Sequence, residues 1–515
     1  FWLKRPERAM RASDTSSSED AGGSAGEPGS PQCAMESSPQ RTARALDLWA
    51  MGVGAVISGD FFGWQATLAA GFGSALVAVC FASVLYLVLA ASVAEVASIK
   101  GTGAGPCQFA EACFGRHVAF FTGLAETLKC VVTLGVVTTG IASYLAEILH
   151  FHPSLAPVCW LAFLLLFTVL NIIGGVASRK SQLAITCLSV LLLVIFYIGA
   201  VVRGVDVEEY ALGGQPLSAT TSFRGVVSAW PFAMWFFLGI EELPLAMEVT
   251  IDPQRNMPRG LNWSFGALVF MAFATLIISS SIPPGTVGMA KTTYPLLEGY
   301  RYAFGDAGEA HWCWLVLVVG LVASLHSFVF ATGQLISQMA QDGYFPSCLG
   351  LRSSSAGTPL AGLVAGSSCA LGVVLALYLV TGGDVDALGC VAIAMCLFST
   401  LLSYAVQLSC FLHLRVRQPE ADRPFRSPFG IPGAAAGLAL SAASMAAVLC
   451  LPALQGPLYL GGLAIAAGTL VLCTVAREAS WHHKKRRGDV ASAGRSGPGQ
   501  SNSEDESVSE STLGG

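Results

Sequence analysis

Apolar residues in this chain gather into long, nearly unbroken runs, not into the alternating pattern of strands or the narrow stripes of soluble helices. A helix needs roughly 20 apolar residues to cross the hydrocarbon core of a bilayer. By that criterion the chain holds about twelve spans, near 46–72, 74–98, 118–148, 157–175, 182–203, 225–249, 262–284, 312–340, 358–381, 387–412, 433–453 and 456–476. The expectation is an all-α polytopic membrane protein and not a soluble domain with a large core.

Composition agrees. Hydrophobic residues make up 53% of the 515 residues and charged ones 12%, about half the usual share. The formal charge of −5 averages an acidic tail with basic loops and implies no nucleic-acid partner. Cysteines such as Cys80, Cys130, Cys187, Cys396 and Cys450 are scattered through apolar runs with no CxxC pair, and read as buried thiols. The chain begins at Phe1 without an initiator Met, as expected of a fragment or of an uncertain start.

Residues 1–43 form a Ser-, Gly- and Pro-rich N-terminal tail, expected to be disordered and cytoplasmic. The membrane domain covers 44–479, and 480–515 is a basic, then acidic and Ser-rich, cytoplasmic tail. With the N-terminus inside, the inner connections hold Arg41, Arg44, Lys100, Arg116, Arg179, Lys180, Arg255, Arg259, Arg352, Arg415, Arg417, Arg423 and Arg426. The outer loops hold only Arg203, Arg224, Lys291 and Arg301. This asymmetry places both termini in the cytoplasm, with the plasma membrane as the default location. The WHHKKRR run at 481–487 reads as a lipid anchor or topology signal and not as a metal site.

Two spans are written differently from the rest. The first carries Gly52, Gly54, Gly59 and Gly63 with Ser58 and Asp60, and Ser58-Gly59 is the expected point of unwinding. The sixth carries Gly239, Glu241, Glu242 and Pro244, and Pro244 removes a helix hydrogen bond. Hydrocarbon tolerates neither free backbone groups nor unpaired charge, so both segments must face protein or a watery site. Interrupted spans at positions one and six are the sign of two five-span repeats around a central site. The competing reading of the glycines alone is close helix packing.

Four stretches then carry a family resemblance: the broken first span, FLGIEELPLAMEVTIDPQRNMPRG at 237–260, GQLISQMAQDGYFP at 333–346, and LRVRQPEADRPFRSPFGIPG at 414–433. In this order they resemble the amino acid–polyamine–organocation superfamily over residues 44–476. VISGDFFGW, WFFLGIE and DRPFRSP look most like its ethanolamine permease branch. The resemblance implies a 5+5 inverted repeat of the leucine-transporter type, with helices 1 and 6 broken. It also implies rocking-type alternating access and secondary transport of an amino acid or small amine.

The substrate-binding candidates are Ile57, Ser58, Gly59, Asp60, Trp235, Phe236, Gly239 and Glu241. Asp60 suits a substrate ammonium in low dielectric, or else caps the half-helix after the break. Ile57, Ser58 and Gly59 would offer backbone groups and one hydroxyl. Ile57 is bulkier than the small residue usual in amino acid carriers of the superfamily, which favours a substrate without a carboxylate. By the resemblance, Trp235 stacks on a cation; three aromatics in a span otherwise serve packing. Glu241 could bind the amine, take a coupling proton, or brace the unwound segment.

The coupling or ion candidates are Glu126, Lys129, Ser324, His326 and Ser327. Glu126 and Lys129, one turn apart, form an intrahelical pair. Many superfamily members carry an acid where Lys129 stands, and Lys129 could instead pair with Asp60 or Glu241. Ser324 and Ser327 would face span one and bind an ion, or bond to the preceding turn. His326 titrates near neutral pH. An inner gate is expected between Glu95 and Arg255 and Arg259, unless these arginines only set topology.

The leading reading is a secondary transporter of a small amino compound, coupled to protons or to sodium, with the lipid bilayer as its environment. A non-transporting nutrient sensor of the same fold is the alternative. An intramembrane enzyme ranks last: there is no HExxH, no GxSxG and no cluster spaced for metal chemistry. No cofactor is expected.

Overall fold

The computed structural model describes residues 41–99, 105–305, 308–353, 357–450 and 456–493. Most of both tails lies outside the described residues. Among those described, eleven helices are long and apolar enough to cross a membrane, and a bent pair, Ala45–Phe61 with Trp64–Ala70, makes twelve if it counts as one span.

Span one comprises α1 (Ala45–Val56) and α2 (Ser58–Phe61), followed by a 3-10 helix, Trp64–Ala70. The next four spans are α3 (Phe72–Ser98), α4 (Arg116–Leu149), α5 (Ala156–Ile173) and α6 (Gly175–Arg203). Span six begins as α7 (Phe223–Ala233), tightens into a 3-10 turn at Met234–Phe236, and resumes as a 3-10 helix, Ile240–Val249. After it come α8 (Pro253–Ser280), α9 (Val318–Gln341), α10 (Leu360–Val380), α11 (Val385–Arg417), α12 (Gly430–Cys450) and α13 (Pro457–Ala493). The last helix thus continues through the basic run, beyond the span expected to end at 476.

Helix neighbours obey a five-span offset. Span one packs on α8 (span seven), and five spans later the first half of span six packs on α3 (span two). Helix α4 packs on α10 and α11, and its counterpart α9 packs on α5 and α6. The pairs α3–α8 and α4–α9 join equivalent spans of the two halves. This is the contact pattern of two inverted five-span repeats.

The two breaks differ in kind. In span one Ile57 N–H still donates to the Val53 carbonyl at 2.9 Å, but Ser58 N–H leaves the ladder for Ser324 Oγ at 3.0 Å and Asp60 N–H reaches back only to Ile57, at 3.0 Å. The 45° bend comes later, where Phe62 is extended (φ −161°) and Gly63 adopts φ +91°. The expected unwinding at Ser58-Gly59 is therefore present as a loss of ladder bonds, and the sharp bend is added four residues on, at Phe62-Gly63. Only the glycine tolerates that positive φ without strain.

Gly59 serves close approach instead, since a Cβ there would stand 2.4 Å from the Trp235 carbonyl oxygen. Gly59→Ala is expected to force the two broken spans apart and cost about 1–3 kcal/mol, the usual range for overpacking. Thermal melting of the purified variant checks this, and a wild-type melting temperature would rule out the contact.

In span six the break sits at Gly239 (φ +113°), as expected. The following half is 3-10, and Pro244 lies inside it.

Candidate functional site

Asp60 is almost wholly buried, at 1% exposure. It does not cap α2, which has no side-chain cap. Thr275 of α8 donates to its Oδ1 at 2.9 Å, and the Tyr197 hydroxyl of α6 lies 2.6 Å from Thr275 Oγ1. Asp60 Oδ2 is buried without a hydrogen-bond donor. A carboxylate oxygen in that condition is costly unless something donates to it or carries positive charge. Around the bend, the Trp235 ring meets Phe62 edge-on at 6.2 Å, and Phe236 stacks on Trp64 at 5.7 Å. Trp235 is buried and its Nε1 has no acceptor. Ile57 is fully buried, and Ser58 N–H donates to Ser324 Oγ at 3.0 Å.

The second half of span six carries the charge. Glu241 Oε2 accepts from Gly239 N–H at 3.0 Å, which braces the break. Its Oε1 accepts from Lys129 Nζ at 2.8 Å and from the Tyr404 hydroxyl at 2.6 Å, and Tyr86 Oη is 2.9 Å from that hydroxyl. The ammonium of Lys129 also contacts Glu126 and Glu242. The intrahelical Glu126–Lys129 pair is therefore present, but as one edge of a buried cluster of three carboxylates around one ammonium. The expected alternative pairing with Glu241 is present too, while the bond to Asp60 Oδ1 comes from Thr275. Helix α11 completes the cluster: Ser403 donates to Glu126, and Gln407 Nε2 donates to Glu126 Oε1 at 2.9 Å. Cys130 Sγ donates to Glu242 Oε1 at 3.3 Å.

The hydroxyls of α9 do face span one. Ser324 donates to the Gly54 carbonyl at 2.9 Å and Ser327 to the Met51 carbonyl at 3.3 Å, so the expected bonds to their own preceding turn are corrected. From α6, Thr186 donates to the Ala50 carbonyl at 3.0 Å, and Gln182 Nε2 donates to Ala323 at 3.3 Å. Gly54 makes room for this, because its Cβ would stand 2.1 Å from Gln182 Nε2. His326 points elsewhere: its Nε2 is 3.0 Å from Ser178 Oγ and its ring lies against Phe167. It lies outside the Lys129 cluster.

Where an inner gate was expected, Glu95 has different partners. Glu95 pairs with Arg415 at 2.6 Å and Arg423 at 3.1 Å, and accepts from Ser427 N–H at 2.7 Å. Arg255 and Arg259 are exposed on α8. The reason is chain geometry. Arg423 turns inward and donates to the carbonyls of Leu414, Pro419, Ala421 and Gln418, which moulds the DRPFRSP loop around its own guanidinium. A second inner pair joins Glu248 to Arg352 at 2.7 Å. The inner ends of spans one and six are tied by a bridge between Ala43 and Thr250.

Glu95→Ala is expected to destabilise the protein by about 3–5 kcal/mol, because it strands a buried guanidinium. Arg255→Ala should leave the melting temperature unchanged. Melting both variants side by side decides between the two pairings, and a silent Glu95→Ala would overturn this one.

Tyr404, Ser403, Gln407, Thr275 and Tyr197 were not singled out from the sequence. Ser403 and Gln407, four residues apart in an apolar run, were the available signal for a polar helix face.

Comparison with known proteins agrees with this architecture. A family model described as amino acid permease matches residues 47–486. An uncharacterized transporter of Rhizobium meliloti is 25% identical over 74% of this chain and 81% of its own length. The methylthioribose transporter of Bacillus subtilis is 24% identical over 78% of this chain and 87% of its own. The putrescine transporter of Haemophilus influenzae is 24% identical over 54% and 63%. Relatives of this chain are thus transporters, and the chain itself belongs to the amino acid permease family of the amino acid–polyamine–organocation superfamily.

Proposed function

We propose that the protein is a proton-coupled secondary transporter of a small amino compound, an ethanolamine-like amine ahead of an amino acid, working by alternating access. The observation that carries this reading is the free, buried Oδ2 of Asp60 beside the bend of span one. A substrate ammonium is the partner such an oxygen lacks. Glu241 is the weaker candidate, since Lys129, Tyr404 and Gly239 already occupy its oxygens. Lys129 does not repel an incoming cation, because three carboxylates enclose its charge.

Two features favour a substrate without a carboxylate. Ser58 N–H, which would bind one, is taken by Ser324, and the bulk of Ile57 fills the adjacent space. Protons are favoured over sodium because the Gly54 and Met51 carbonyls already accept from Ser324 and Ser327. Alternating access would turn on Gly63 and Gly239, with the inner halves of spans one and six moving together through the Ala43–Thr250 bridge. In this reading the excess of basic residues on one side favours cytoplasmic termini, and the plasma membrane is the host we propose.

Binding is tested by thermal stabilisation of purified protein with ethanolamine, putrescine, alanine and serine. A ligand at 100 times its Kd adds about 2.7 kcal/mol to the folded state. Stabilisation by ethanolamine, sharply reduced in Asp60→Asn, is the expected result. Stabilisation by amino acids alone, unchanged in Asp60→Asn, would move the site to the span-one backbone and end the amine reading.

A further inference from the structure

We propose that Glu126 and Glu242 share one proton and form the site that carries the coupling proton. The argument starts from donors and acceptors. Lys129 and Glu241 neutralise each other through a 2.8 Å ion pair. Glu126 and Glu242 remain, both almost wholly buried, and the same ammonium cannot also cancel two further negative charges. Oxygens of both and Cys130 Sγ fall within 4.8 Å of one another.

The outer donors are already placed. Ser403 and Gln407 donate to Glu126 Oε1, and Cys130 donates to Glu242 Oε1. Glu126 Oε2 touches Lys129, and Glu242 Oε2 is buried with no donor among the described residues. Two buried acceptors held this close repel unless a proton lies between them, and two carboxylates that share a site do not both ionise. One shared proton supplies the missing donor and leaves the cluster with a single net negative charge. The titratable groups beside the pair are Lys129 and Cys130 on α4 and Glu241 on span six; Tyr404 on α11, Tyr86 on α3 and Cys396 on α11 lie next, around Glu241 and Lys129.

The location makes the pair a coupling device. Glu126 sits on the continuous helix α4, whereas Glu242 stands three residues past Gly239, the hinge of span six. A rotation at that hinge that carries Glu242 away from α4 separates the two carboxyls. Separation leaves one charge without its hydrogen bond and the proton without its second acceptor, so the proton passes to water on whichever side has opened. No bond other than O–H forms or breaks. This rests on the proton-coupled reading for its consequence in transport, but the shared proton can be read without transport.

Infrared difference spectroscopy of the purified, lipid-reconstituted protein sees the C=O stretch of a protonated carboxylic acid. The expected result is such a band at neutral pH, kept in Asp60→Asn and lost in both Glu126→Gln and Glu242→Gln. Either single replacement leaves one carboxylate free to ionise against Lys129. Glu242→Asp keeps the acid and should keep the band at a shifted frequency, which covers the case of a poorly folding glutamine variant. No band at neutral pH, a band that survives both glutamine variants, or an unshifted band in Glu242→Asp would overturn the proposal. A band that behaves as expected in a protein with no proton-driven uptake would leave the shared proton standing and reject the transport reading alone.

Discussion

Replacing Lys129 with Met is expected to be the most damaging single change in the membrane domain. The side chains are close in length, so the cavity term is small, and the loss is electrostatic. Glu126, Glu241 and Glu242 would be left as buried carboxylates with no cation among them. Removing one partner of a buried ion pair costs about 3–5 kcal/mol. Here one ammonium serves three acids, so the upper end of that range applies. Glu241 also anchors Gly239 N–H, and its repulsion from Glu242 would loosen the brace of span six.

The expected outcome is a fall in melting temperature and loss of uptake together. Combining Lys129→Met with Glu241→Gln removes one of the stranded charges and should recover part of the stability. That non-additivity is the signature of residues in one network. A Lys129→Met protein as stable as the wild type would contradict the cluster.

Asp60→Asn is expected to leave the fold intact and remove function. The amide keeps an oxygen to accept from Thr275, so the ties to α8 and α6 persist. Only the negative charge disappears. A hydrogen bond to a charged group contributes about 1.5–3 kcal/mol. At 1.4 kcal/mol per factor of ten, apparent affinity for an amine should weaken roughly 10- to 100-fold. Melting temperature without ligand should hardly change, or should rise, since a buried charge lacking a full set of partners has been removed. If affinity is retained and stability alone falls, Asp60 is a structural tie between spans one and seven and not a binding residue.

Much of the architecture was legible because a membrane imposes coarse rules. Span lengths follow from hydrocarbon thickness, and Gly239 with Pro244 announced the second break. In span one the loss of ladder bonds at Ser58-Gly59 was legible but the bend at Phe62-Gly63 was not, because the span offers several glycines for different ends. Gly59 admits the Trp235 carbonyl, Gly54 admits Gln182, and Gly63 alone turns the backbone. Composition does not separate close approach from positive φ.

Charge clusters were half legible for a similar reason. The i,i+3 spacing of Glu126 and Lys129 shows in the chain, whereas the partners from span six and α11 lie more than 100 residues away. The inner ion pairs show the same limit. The sign of the loops was readable, but the fold of the 414–433 loop decides that Arg423, and not Arg259, reaches Glu95.

The account stands or falls most directly on uptake of radiolabelled ethanolamine by proteoliposomes with an inward proton gradient. Accumulation that the gradient stimulates, that unlabelled ethanolamine competes away and that Asp60→Asn abolishes is the predicted result. Ethanolamine that binds to the purified protein without entering the vesicles, or entry unaffected by the gradient, would contradict it.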